Sequence, residues 1–156
     1  MERESIIKGL MMFFQVEELL CPHCFKMHGD DGMRFLSTPA LANLLFLRSE
    51  LLKSPIYINN YRTGGSFSQR GLRCNLCSLT HAKSIQNTCY LSAHLFGSAF
   101  DFDCLFYSAD TVRRLILQNA SSLPYPLRLE SGIDWVHFDT FNYESASPVV
   151  LFFAKT

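Results

Sequence analysis

The chain has 156 residues, of which 48% are hydrophobic, 13% aromatic and 18% charged; this suits one compact domain with its own core and excludes a disordered chain. Fourteen Lys and Arg balance fourteen Asp and Glu, with no long block of either sign, which argues against nucleic acid or an anionic membrane as partner. No apolar run reaches the roughly 18–20 residues of a membrane span, and the patch at 10–14 is bracketed by Glu2, Glu4, Glu17 and Glu18 with no small-residue cleavage site after it. A soluble chain made in the cytoplasm without a signal peptide is therefore expected.

Along the chain, residues 21–32 mix Cys, Pro, His, Gly and Asp and predict an irregular knuckle rather than a regular element. A helix is expected next. Thr38 can cap it, Pro39 suits its first position, and Leu41, Leu44, Leu45, Leu47, Leu51 and Leu52 recur on its apolar stripe until Ser54-Pro55 stops it. Residues 56–61 are β-branched and aromatic and predict a strand that breaks at Gly64-Gly65, with Arg62 at its exit. The polar stretch 63–88 is long for a structureless connection, so substrate contacts or a metal brace are expected there. A strand over 99–106 and a helix over 108–119, starting near Ser108 or Asp110, follow before Pro124 and Pro126 intervene. Three short runs, 127–130, 135–140 and 149–154, fit a strand meander. The order predicts a single α+β domain over 1–156, with a mainly antiparallel sheet and two main helices.

Chemistry concentrates in two stretches. In Ser92-Ala93-His94-Leu95-Phe96-Gly97-Ser98-Ala99-Phe100-Asp101 a His and an Asp are joined through small residues that permit close backbone approach. In Gly132-Ile133-Asp134-Trp135-Val136-His137 a second His sits on a strand among bulky apolar residues. Two imidazoles and a carboxylate are a ligand set suited to catalytic zinc, which keeps a fourth position for water.

These stretches resemble the zinc D-Ala-D-Ala carboxypeptidase and L-alanyl-D-glutamate endopeptidase family, which includes bacteriophage endolysins. The family pattern Ser-x-His-x-x-Gly-x-Ala-x-Asp is matched without a gap by Ser92, His94, Gly97, Ala99 and Asp101; an acid-x-x-His element is matched by Asp134 and His137, and a Tyr-Arg at a strand end by Tyr61-Arg62. The similarity runs over about residues 41–140. It implies a fold of the Hedgehog and DD-peptidase type, with zinc bound by His94, Asp101 and His137 and Asp134 as general base. It also implies that Arg62 holds a substrate carboxylate or the developing oxyanion, while Ser92 is expected to bind substrate, orient a ligand or cap a turn. Asp134 precedes His137 by three residues and would face the other way on an ideal strand, so a bend after Gly132 is required. Glu130 stands as the fallback base, and Asp103 would share the strand face of Asp101, although the motif register favours Asp101. Where the family often has Gly-Gly before Ser-x-His, this chain has residues 86–90 instead.

The expected function is a zinc-dependent peptidase that hydrolyses an amide bond in peptidoglycan stem peptides through metal-activated water, reaching the wall after phage release or lysis if phage-encoded, with a cytoplasmic bacterial enzyme as the competing origin. The alternative is a catalytically inactive, zinc-containing module for wall binding or virion structure. Two Cys-x-x-Cys units, Cys21 with Cys24 and Cys74 with Cys77, can close a second, structural zinc site if the fold brings them together. A pair completed by His23, His28 or His81, or plain reduced thiols, are the other readings. A thioredoxin-like redox role is disfavoured, because neither pair is expected to lead from a strand into a helix.

Overall fold

The computed structural model describes residues 2–144 and 147–154. Its helices begin where the local chemistry satisfies their free N–H groups. In α1 (Arg3–Leu10) the apolar stripe buries Ile6 and Leu10 against α4, and α2 (Val16–Leu19) opens on a reciprocal capping box between Gln15 and Glu18. Pro22 occupies the first turn of α3 (Pro22–His28), which Cys21 precedes as N-cap. The Ser37 hydroxyl, rather than that of Thr38, caps α4 (Thr38–Phe46) by accepting from the Ala40 N–H at 3.4 Å, and the helix runs on as a π turn over Leu47–Leu51. Cys77 is the N-cap of α5 (Ser78–Ile85), and Ser108 caps α6 (Ala109–Gln118) by accepting from the Thr111 N–H at 3.3 Å.

Five strands, β1 (Ile56–Tyr57), β2 (Ala99–Cys104), β3 (Leu127–Ser131), β4 (Val136–Asp139) and β5 (Val150–Ala154), form one sheet in the order β1-β2-β4-β3-β5. All neighbours are antiparallel except β3 and β5, which run parallel, so the sheet is mixed. Alternation along the strands splits it into two chemical faces. Phe100, Phe102, Leu127, Leu129, Val136 and Phe138 point into the core, where α4 packs on β2 and α6 on β2 and β4. The other face carries Asp101, Arg128, His137 and Asp139.

The α+β class holds, and several local expectations do not. Residues 21–32 are helical, because Pro22 and the Cys21 cap start α3, and a 3-10 segment over Gly29–Phe35 continues it. The expected strand 56–61 pairs only at Ile56 and Tyr57; Tyr61–Thr63 is a 3-10 turn closed by Gly64 at φ +88°. The long stretch 63–88 contains α5, and the described residues hold six α-helices rather than two main ones.

Candidate metal centre

The motif around His94 is a capped turn feeding a strand. The Ser92 hydroxyl accepts from the His94 N–H at 3.3 Å and starts the 3-10 turn Ala93–Phe96. Gly97 ends it at φ +63°, where a Cβ would stand 2.0 Å from the Phe35 carbonyl oxygen, so only glycine fits. Ala99, fully buried, then enters β2 and carries Asp101 two residues on. On β4, His137 lies directly across from Asp101, and paired residues of antiparallel strands share a face.

The three side chains converge. His137 Nδ1 is 2.7 Å from Asp101 Oδ1, His94 Nε2 is 3.2 Å from Asp101 Oδ2, and the two imidazole centroids are 5.1 Å apart. One ligand atom from each lies within 4.8 Å of the others. His94 Nδ1 is 2.8 Å from the Gly71 carbonyl, which can only accept, so the proton is on Nδ1 and Nε2 carries a lone pair. That Nε2 is buried and has no hydrogen-bond partner. It faces a carboxylate oxygen, so two lone pairs oppose each other, and burial holds His94 below its ordinary pKa, against protonation. A cation between them satisfies both atoms, and the donor set therefore fits a divalent metal such as zinc.

Around the ligands lies a shell of charge. Asp139 accepts from both Nε and a terminal nitrogen of Arg128 at 2.7 and 2.8 Å, and its Oδ2 is 3.3 Å from His137 Nε2. The carboxylate thus orients the second nitrogen of a ligand imidazole. Burial alone would lower the pKa of His137, but hydrogen bonds to Asp101 and Asp139 outweigh it and hold it at about 9 without metal. Burial likewise opposes ionisation of Asp101, yet the charged His137 bonded to it holds its carboxyl well below the usual range. With His94 neutral, the hydrogen bond from His137 is the one that keeps Asp101 ionised. Arg73 adds a guanidinium 3.0 Å from Asp101 Oδ2.

The centre opens into a cleft of about 590 Å³, whose lining includes Tyr90, Ser92, Arg128, Glu130, Trp135 and Phe153. The required bend after Gly132 is present, with Gly132 at φ +77°, and it leaves Asp134 exposed and outside the cleft lining. Glu130 lines the cleft. Arg62 is also elsewhere: its side chain is 60% exposed, 3.8 Å from Glu17 and stacked 5.5 Å over the Phe25 ring. The guanidinium groups at the centre belong to Arg73 and Arg128. Asp103 is engaged by Arg70 and is not among the clustered ligands.

Sequence reasoning missed Gly71, Arg73, Arg128 and Asp139. Asp139 had a signal, since it follows His137 by two residues on a strand and so shares its face. The other three arrive from positions distant in sequence. A second group, Cys21, His23, Cys74 and Cys77, also brings its ligand atoms within 4.8 Å of one another.

No known protein family, curated protein or solved structure matches the chain. Among the described residues, no helix is long and apolar enough to cross a membrane.

Proposed function

We propose that the protein is a zinc-dependent peptidase that cleaves an amide bond in peptidoglycan stem peptides. The observation that carries the metal is the buried, unpartnered Nε2 of His94 opposite Asp101, with His137 completing three protein ligands under an open cleft. The substrate class rests on the resemblance around His94, Asp101 and His137. When bound, zinc polarises a carbonyl and lowers the pKa of water from 15.7 to about 7, which is the activation amide hydrolysis needs.

The chain's own residues have separable tasks. His94, Asp101 and His137 hold the metal, while Gly71 and Asp139 fix the orientation of the imidazoles. Arg128, wedged between the Phe141 and Phe153 rings at 5.3 and 4.7 Å, reaches the cleft and can receive a substrate carboxylate, the task the sequence suggested for Arg62. Two carboxylates are available to move the proton. Glu130 already lines the cleft, whereas Asp134 serves only if the exposed bend 132–135 folds over bound substrate.

Purified protein with zinc should release new amines from defined stem peptides or isolated sacculi. Asp134→Ala and Glu130→Gln, each at near-normal metal content, identify the base as the residue whose loss abolishes turnover. Full activity in both variants would remove carboxylate catalysis from the reading. Protein that holds zinc and binds wall fragments yet releases no amine would instead be an inactive wall-binding or virion module.

A further inference from the structure

The cysteine cluster lies where α3, α5 and the segment 70–74 meet. Cys74 and Cys77 sulfurs are 4.0 Å apart, and His23 Nδ1 is 3.8 Å from Cys77 Sγ. Cys24, one turn into α3, is within interaction range of Cys21 and Cys74. Tetrahedral zinc with Zn–S bonds of about 2.3 Å sets its sulfurs roughly 3.8 Å apart, close to the 4.0 Å between Cys74 and Cys77, and the ligand atoms of Cys21, His23, Cys74 and Cys77 all lie within 4.8 Å of one another. All of these cysteines are free thiols, and Cys21 and Cys77 are buried. Thiols are weak donors and acceptors, so a buried group of them gains little from its own hydrogen bonds.

The cluster is joined to the His94 centre by one short strap. On one side of the strap, the Cys21 N–H donates to the Leu72 carbonyl and the Leu72 N–H to the Leu19 carbonyl, each at 2.9 Å. The backbones are so close that a Cβ on Gly71 would lie 2.1 Å from the Leu19 oxygen. On the other side, the Gly71 carbonyl accepts from His94, the Arg73 N–H donates to the His94 carbonyl at 3.1 Å, and the Asp101 N–H donates to the Arg70 carbonyl at 2.7 Å. The Arg73 guanidinium closes on Asp101. The strap then ends at Cys74.

We propose that Cys21, Cys74 and Cys77, with a fourth ligand from the first turn of α3 (His23 or Cys24), hold a structural zinc that locks the strap 70–74 beneath the His94–Asp101–His137 centre. The thiolate site is independent of the peptidase reading. Its effect on the other centre presumes only that His94 and Asp101 bind metal. Because the strap supplies the carbonyl that fixes the His94 tautomer and the guanidinium that restrains Asp101, loss of the cysteine zinc should weaken metal at the second centre about tenfold or more.

The full chain, purified under reducing conditions, should contain two zinc ions, and its zinc X-ray absorption should show three or four sulfur ligands on one of them. Four identify Cys24 as the last ligand, and three identify His23. Cobalt substitution should give a thiolate charge-transfer band that survives in the His94→Ala/His137→Ala variant, disappears in Cys74→Ser/Cys77→Ser, and is unchanged by Cys89→Ser, an exposed cysteine outside the cluster. Absence of sulfur ligands in the wild-type protein would overturn the site, even if the double cysteine variant cannot fold. A charge-transfer band that persists in that variant would also overturn it. Unchanged zinc affinity at the His94 centre of a folded cysteine variant would refute the coupling. Sulfur-bound zinc in a protein without hydrolytic activity would leave this site standing while the peptidase reading fell.

Discussion

Replacing Asp139 by Asn tests the shell of the centre without changing its shape. The Asp139 side chain is 1% exposed and meets four partners: two Arg128 nitrogens, the Phe141 N–H at 3.1 Å, and His137 Nε2. An amide offers one acceptor oxygen and an NH2, so it cannot accept at both ends, and whichever way it turns its NH2 faces an Arg128 nitrogen together with either the Phe141 N–H or His137. One buried donor is left facing another, at a cost of about 1–3 kcal/mol. Outer-shell partners of this kind are worth about 10–100-fold in metal affinity, or about 1.4–2.8 kcal/mol. The variant acts on the competing proton as well, because losing a carboxylate lowers the pKa that His137 has in the metal-free protein. At neutral pH the variant therefore has less proton to displace, and part of the loss is hidden. Zinc dissociation constants from chelator competition should rise 10–100-fold above pH 9, and by less near pH 7. A constant within twofold of wild type above pH 9, in protein with an unchanged far-ultraviolet spectrum, would refute the role given to Asp139.

In protein whose cysteine site already holds zinc, uptake at the His94 centre should release about one proton near pH 6, since His137 is charged below its pKa of about 9 and must be neutral to bind while burial disfavours the charged form of His94, and the release should rise toward two as bound water ionises near pH 7. Calorimetry in buffers of different ionisation heat reads this directly, and a release near zero at pH 6 counts against the assignment. Gly97→Ala should lower the unfolding free energy by at least about 3 kcal/mol, because the left-handed φ alone costs about 1–2 kcal/mol and the Phe35 carbonyl must move as well. Urea unfolding measures it; a loss under 1 kcal/mol would show that the turn relaxes freely. Arg113, 5% exposed, donates to the carbonyls of Glu130, Ile133 and Trp135 at 2.8, 2.7 and 2.6 Å. Arg113→Met should destabilise by about 3 kcal/mol and speed amide exchange over 130–135, and unchanged exchange there would show that the bend is held otherwise.

The legible parts of this protein are those whose physics is local. The spacing from Ser92 to Asp101 encodes a cap, a left-handed glycine, a small buried residue and a strand register, each within ten residues, so the pattern could be read without the fold. The strands carrying Asp101 and His137 were legible as separate runs, though not their pairing, as was the start of α6 near Ser108. What sequence could not supply was the partner of each polar group. Arg62 and Arg73 are both arginines in polar surroundings; long-range backbone contacts, the parallel bridge between Leu20 and Leu72 with the bonds from Arg73 to His94 and from Asp101 to Arg70, bring Arg73 to Asp101. The helical form of residues 21–28 was missed for the opposite reason. Cys, Pro and His read as irregular, although Pro22 at a first turn and an extended Cys21 cap are ordinary helix starts.

Charge bookkeeping across the cleft joins the metal to the choice of substrate. Arg73 and Arg128 offset Asp101 and Asp139, so the buried shell is neutral before any histidine is counted. Lys83 and Glu130, which also line the cleft, offset each other. In the metal-free protein the charged His137 leaves one net positive charge. Loading exchanges that proton for a divalent ion, so the cleft gains one further positive charge at the moment it becomes competent. Its low-dielectric wall of Trp135, Phe141 and Phe153 keeps that charge poorly screened. If the protein is the peptidase proposed above, a peptide bearing a free carboxylate near the scissile amide should be cleaved in preference to its amidated counterpart, and Arg128, held by Asp139 but open to the cleft, is the group placed to tell them apart.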